Sequence, residues 1–140
     1  MTAIDTLIRV HRHQLDERRQ QVAELDRLAA KLREELQRLD AEAAAEQKLA
    51  AASPELGLTY GSYAAAVTDR RQKLLASIAE VEEQIAQARE ALAAAFQDVK
   101  RYELAAAHRL KKARQRLARR QRIEQDEIAL QIYRRRREAG

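Results

Sequence analysis

Ser53-Pro54-Glu55-Leu56-Gly57-Leu58-Thr59-Tyr60-Gly61 is the one stretch of the chain that cannot read as uninterrupted helix. Pro54 lacks an N–H and its ring clashes with the preceding turn, so a helix arriving from the N-terminal side should stop before it. The same ring biases Ser53 away from the helical region. Gly57 and Gly61 add backbone freedom just beyond. Elsewhere glycine recurs only at Gly140, and proline does not recur. The punctuation therefore predicts a helix over about residues 2–52, a turn over about 53–59 and a second helix over about 60–137, capped by Thr59 or Ser62.

Working outward from this turn, apolar positions on both sides step by three and four. Upstream they are Ile8, His11, Leu15, Arg18, Val22, Leu25, Ala29, Leu32, Leu36, Leu39, Ala43, Glu46 and Ala50, with His11, Arg18 and Glu46 as polar interruptions. Downstream they are Val67, Arg71, Leu74, Ile78, Val81, Ile85, Ala88, Leu92, Ala95, Val99, Tyr102 and Ala106. This is the heptad seam of a coiled coil. Leu110 lies eleven residues after Val99 and is followed by Ala113 and Leu117, so the frame slips there and the supercoil should relax locally.

Composition agrees. Ala, Leu, Glu, Lys and Arg fill 88 of the 140 positions, a bias of long helices and coiled coils. Three glycines and one proline cannot supply the turns of an all-β domain. Seventeen Leu, seven Ile, five Val and one Phe are too few for a thick core but enough for a narrow seam. The expected fold is all-α: two long helices forming an antiparallel coiled-coil hairpin, because a short turn makes its helices antiparallel neighbours. Counting outward from the turn, the start of helix 1 comes level with about residues 106–110 of helix 2. At ~1.5 Å per residue the helices span ~75 Å and ~115 Å, so about 30 residues of the second overhang at its C-terminal end.

That overhang is where the positive charge sits. Residues 1–108 carry 15 Lys/Arg against 18 Asp/Glu, whereas residues 109–140 carry 12 against 4, a net of +8. Such asymmetry marks a contact surface for something acidic. Ile123, Ile128, Leu130 and Ile132 would be exposed on a lone helix, which has little stability of its own, so this end calls for a partner. An acidic or apolar protein socket fits. Nucleic acid fits less well, because the interleaved residues are aliphatic and no stacking series or base-reading motif is present. A plain solvated charge run is the third reading. Tyr60 and Tyr63 flank the turn, where they suit either a protein contact or local packing over Leu56 and Leu58.

Other function classes fall away. With no cysteine there are no disulfides, thiolate nucleophiles or Cys-ligated metals. The longest apolar run is the hexamer Ala91 to Phe96, far short of the roughly 18 residues that span a bilayer. Asp5 precedes any apolar stretch, so the N-terminus does not read as a secretory signal, and the cytoplasm is the expected compartment. His11 and His13 stand on different helix faces and make no chelate, and His108 could approach helix 1 only across the hairpin. Metal, cofactor and catalytic residues are accordingly none. A two-helix hairpin offers no dry concave pocket, and Glu34, Glu35, Glu82 and Glu83 read as a solvated face with i,i+4 partners, so no enzyme is expected.

Ile4-Asp5-Thr6-Leu7-Ile8-Arg9-Val10 leads into a Gln/Glu/Arg-rich helix, and Tyr60 and Tyr63 open helix 2. Arg122-Ile123-Glu124-Gln125-Asp126-Glu127-Ile128-Ala129 lies near the C-terminus, and a basic run closes the chain. Together these four features resemble the FliJ family of the flagellar type III export apparatus, whose Asp-Glu-(Ile/Phe)-Ala element is similar to Asp126-Glu127-Ile128-Ala129. The Ala-rich centre of helix 2 departs from the bulkier side chains common in the family. The resemblance implies an antiparallel coiled coil similar to the stalk of a rotary-ATPase gamma subunit. Its terminal end would enter the hexameric export ATPase, another part would bind the cytoplasmic linker of the export gate, and export chaperones would be further partners. It implies a location at the cytoplasmic face of the flagellar basal body, peripheral to the membrane through partners only. On this basis Ile4, Leu7, Arg119, Arg120, Arg122, Ile123, Ile128 and Tyr133 belong to the ATPase end, and Tyr60 and Tyr63 to the gate contact. The rival readings are the equivalent stalk of an injectisome, a nucleic-acid-binding coiled coil using the basic helix, and a self-assembling structural coiled coil.

Overall fold

A computed structural model describes residues 2–140. They form two helices, α1 (Ala3–Ala52) and α2 (Pro54–Ala139), with no strand among the described residues, so the all-α expectation holds.

The turn is where the sequence reading needs correction. No seven-residue loop separates the helices, because Ser53 alone stands between them. Its N–H donates to the Leu49 carbonyl at 3.2 Å and its carbonyl accepts from the Gly57 N–H at 3.1 Å, so it closes α1 and opens α2. Pro54 is not a loop residue but the first residue of α2, a position where its missing N–H has no intrahelical partner to lose and its fixed φ suits the helix. Ser53 therefore holds the N-cap place assigned to Thr59 or Ser62. Thr59 lies inside the helix, its hydroxyl donating back to the Leu56 carbonyl at 3.1 Å. Gly57 and Gly61 take ordinary negative φ values, and their extra freedom is not used.

The start of α1 is held by a reciprocal cap. The Thr2 hydroxyl accepts from the Asp5 N–H at 3.2 Å and donates to the Asp5 carboxylate at 2.8 Å, which also accepts the Thr2 N–H at 3.1 Å. This is a capping box with Asp in the place of Glu. The Thr2 hydroxyl and then its N–H hold the Asp5 carboxyl below its ordinary value.

The chain divides into two compact units, His13–Phe96 and residues 2–12 with Gln97–Gly140. The first is an antiparallel hairpin. Asp26 meets Arg89 at 3.6 Å and Arg33 meets Glu82 at 2.8 Å, so α2 retreats by seven residues as α1 advances by seven. Both pairs are equidistant from the Gly57–Leu58 bond, and Asp40–Arg71, nearer the turn, is centred two residues earlier, so the register is offset by a few residues from Ser53, the one non-helical residue between the helices. Ala29, Val81 and Ile85 form its core, with Leu25 and Leu32 packed against them. Leu15, Leu39, Ile78 and Ala88 are buried along the same seam. Of the seam positions read from the sequence up to Ala106, only Arg18, Glu46 and Arg71 are exposed.

In the second unit Ile8 and Val99 are buried and α1 again runs antiparallel to α2. The His11 ring stacks on Tyr102 with centroids 4.6 Å apart, and Arg12 meets Glu103 at 3.1 Å. One turn toward the N-terminus and beyond, Thr2, Ile4 and Asp5 share a groove with Ala106, Ala107, Arg109 and Leu110, at the level expected from counting. Every residue from Ala107 to Gly140 is exposed, so Leu110, Ala113 and Leu117 continue the seam's steps without being buried by them.

Candidate functional site

The C-terminal part of α2 is exposed on all sides. Its Lys and Arg are exposed, and among the described residues none of the ion pairs reaches past Glu103. The segment 109–140 thus presents its net +8 with no ion pair among the described residues. Its apolar side chains are exposed as well: Leu110, Leu117, Ile123, Ile128, Leu130, Ile132 and Tyr133 are all about half accessible or more. At about 100° per residue, Leu110, Leu117, Ile128 and Ile132 share one side of the helix. Arg119, Arg122, Ile123, Leu130 and Tyr133 share the opposite side, with Arg120 between the two.

The residues expected at the ATPase end therefore do not form one patch. Ile4 is half-buried in the groove beside Leu110, and Leu7 is 43% exposed on the same helix. Arg119 begins nine residues after Leu110, about 14 Å further along α2. Ile123 and Ile128 face different ways. The sequence spacing already contained this division, since five residues cover well over one helical turn.

Tyr60 and Tyr63 lie within the early turns of α2 rather than at its start, half-buried, with ring centroids 6.2 Å apart and tilted by 40°. Burial pushes the Tyr63 hydroxyl above its ordinary value, and the negative charges of Glu46 and Glu42 push the same way. Leu58 is 88% exposed and Leu56 50%, so the tyrosines are not spent on covering them.

Some arrangements went unread in the sequence. Glu82 pairs across the hairpin with Arg33 instead of along its own helix, as do Asp40 with Arg71 at 3.0 Å and Asp26 with Arg89. Charges beside a heptad seam are the signal that could have shown them. These pairs are about half exposed and help set register more than stability. The His11–Tyr102 stack joins two residues that the seam had placed but not matched.

Glu103 is the carboxylate with a readable pH consequence. The Arg12 hydrogen bond, aided by Lys100, holds it below its ordinary value. A folded value below the unfolded one stabilises above the unfolded carboxyl value and ceases to do so as pH falls through the folded one. Arg12→Ala should therefore lower the thermal midpoint at neutral pH, and the gap to the unaltered chain should narrow as pH falls below the ordinary carboxyl range, measured by circular dichroism melts.

Among the described residues no group of three or more His, Asp or Glu could hold a metal ion. Among the described residues no helix is long and apolar enough to cross a membrane. The surface depressions are open grooves along the helix pair, such as the one where Arg18 and Gln21 face Gln84, Ala88 and Ala91.

The flagellar FliJ protein family model matches residues 1–138. Two flagellar FliJ proteins of Caulobacter vibrioides, from strains NA1000 / CB15N and CB 15, are each 37% identical to the chain over 100 residues, covering 70% of both partners. No solved structure matches the chain significantly.

Proposed function

The chain belongs to the flagellar FliJ family, and on that premise we propose that it is a non-enzymatic stalk and chaperone-escort protein of the flagellar type III export apparatus. Its basic C-terminal segment, with Ile4 and Leu7 beside the groove at its base, inserts into the hexameric export ATPase. Tyr60 and Tyr63 contact the cytoplasmic linker of the export gate, so that one chain links hydrolysis to export. Export chaperones are further clients, and the working place is the cytoplasmic face of the basal body.

The observation that carries this reading is the two-sided exposure of α2 after Ala107. A helix that docks on a flat surface needs one apolar face. Here Leu117 and Ile128 lie on one side and Ile123 and Tyr133 on the other, with arginines interspersed. Burying both sides takes a partner that surrounds the helix, and the pore of a ring does so. Photo-crosslinking residues placed singly at Ile128 and at Ile123 should both capture the ATPase. Capture from one position only would replace enclosure with side-on docking.

A further inference from the structure

Within the unit His13–Phe96 the two flanks of the seam are unlike. Asp26, Arg33 and Asp40 each follow a seam residue by one position, as Glu82 and Arg89 do on α2. The ion pairs that cross the hairpin there, Asp26–Arg89, Arg33–Glu82 and Asp40–Arg71, all draw on that flank. Gln21 and Leu28 on α1, with Gln84 and Ala91 on α2, precede seam residues by one and make the opposite flank. Among the described residues no ion pair crosses the hairpin on that side. It opens instead into a groove whose apolar part is Leu25, Ala88 and Ala91 and whose polar lining is Gln21, Gln84, Gln87 and Arg18. The seam is thin at this level, because α2 supplies alanines at positions 88, 91 and 95. Leu25, Ala91 and Leu92 are only half-buried, and Arg18, on a core-facing step of α1, is exposed.

The lining fixes the sign of an occupant. Arg18 is its charged member, and no carboxylate lines the groove. Three and four positions from Arg18 along its own helix stand Gln14, Leu15, Gln21 and Val22, none of them acidic. Arg18 Nη1 donates to Gln21 Oε1 at 3.3 Å, and the guanidinium enters no ion pair among the described residues. The one carboxylate bonded to the lining is Glu83, which accepts from the Gln87 amide at 3.4 Å and lies outside the groove.

We propose that this groove docks an acidic amphipathic helix of a partner protein, laid as a third helix against the pair. Its apolar side chains cover Leu25, Ala88 and Ala91, and a Glu or Asp side chain meets the Arg18 guanidinium, whose planar fork matches a carboxylate. A lysine in the same place would face like charge with no anion to offset it. A helix suits the site better than a small anion does, since one exposed guanidinium holds an ion weakly and the apolar part gains only from apolar cover. None of these residues is assigned to the ATPase or the gate, so those contacts and this one can fail separately.

The chain has no cysteine, so an environment-sensitive fluorophore on Gln84→Cys reports from the edge of this groove alone. The probes are two synthetic helical peptides with the same leucine stripe, one flanked by glutamates and the other by lysines, titrated against the full chain. The glutamate peptide should shift the emission, with an affinity that falls as salt rises, and the lysine peptide should bind there at least about tenfold more weakly. Arg18→Glu, at an exposed side chain, should weaken the glutamate peptide about tenfold. Ala91→Leu, which fills the groove without altering charge, should do the same with helicity by circular dichroism retained. The Arg18→Glu effect should persist in a chain that also carries Arg119→Glu, Arg120→Glu and Arg122→Glu, where the basic segment attracts the peptide less. No shift with either peptide, equal shifts with both, or an unchanged response in Arg18→Glu or Ala91→Leu overturns the proposal. So does an Arg18→Glu effect that vanishes with the three reversals, because the peptide would then sit on the basic segment. An emission shift that appears without peptide as the mass doubles with concentration also overturns it, the occupant then being a second copy.

Discussion

Replacing Arg119, Arg120 and Arg122 with glutamate is expected to weaken pull-down of the protein by the export ATPase at least about tenfold while leaving helicity by circular dichroism unchanged. Three reversals change the net charge by six units and take segment 109–140 from +8 to +2. All three side chains are exposed and none takes part in an ion pair among the described residues, so the fold loses no contact. Arg119 and Arg122 share the side carrying Ile123 and Tyr133, and the new carboxylates would face an acidic wall wherever the arginines had met one. Arginine is suited to that role because its guanidinium pairs with carboxylates in bidentate geometry and is weakly hydrated. Unchanged pull-down would take the basic segment out of the ATPase contact.

The second large effect concerns the fold itself. Ile85→Ala should destabilise the hairpin by about 2–4 kcal/mol, lowering the thermal midpoint by roughly 10 °C. Ile85 is 8% exposed and packs with Ala29 and Val81, and Ala29, at 1% exposed, leaves no large neighbour able to move into the space. Leu117→Ala should change stability by no more than about 0.5 kcal/mol, since Leu117 is 57% exposed and buries little within the chain. The two leucine-sized deletions separate the part of α2 that holds the fold from the part held ready for a partner. A loss of stability at Leu117 comparable to that at Ile85 would show that the C-terminal segment is packed in the free protein.

Much of this architecture was legible in the residue order. Steps of three and four located the seam, and the shift from mixed charge to +8 after residue 108 located the exposed segment. What misled was Pro54. Proline ends a helix that precedes it and equally begins one that follows, and with Ser53 before it the second role leaves no loop. Glycines 57 and 61 then looked like turn residues although the backbone keeps them helical. The candidate site was legible in charge but less so in geometry. Ile123 and Ile128 sit five residues apart and face different sides, a distinction that changes the kind of partner required. Cross-hairpin pairs such as Arg33–Glu82 depend on the register of the two helices, which a single misjudged turn displaces by several residues. The carboxylates beside Tyr63 became visible as its neighbours only once that register was in place.

The most direct test of the central claim is ATP hydrolysis by the cognate flagellar export ATPase, measured with the full chain and with a chain ending at His108. The account predicts stimulation by the full chain and its loss on truncation, because residues 109–140 carry the uncommitted charge and apolar surface. Equal stimulation by both chains would contradict it and place the ATPase contact elsewhere on the helices.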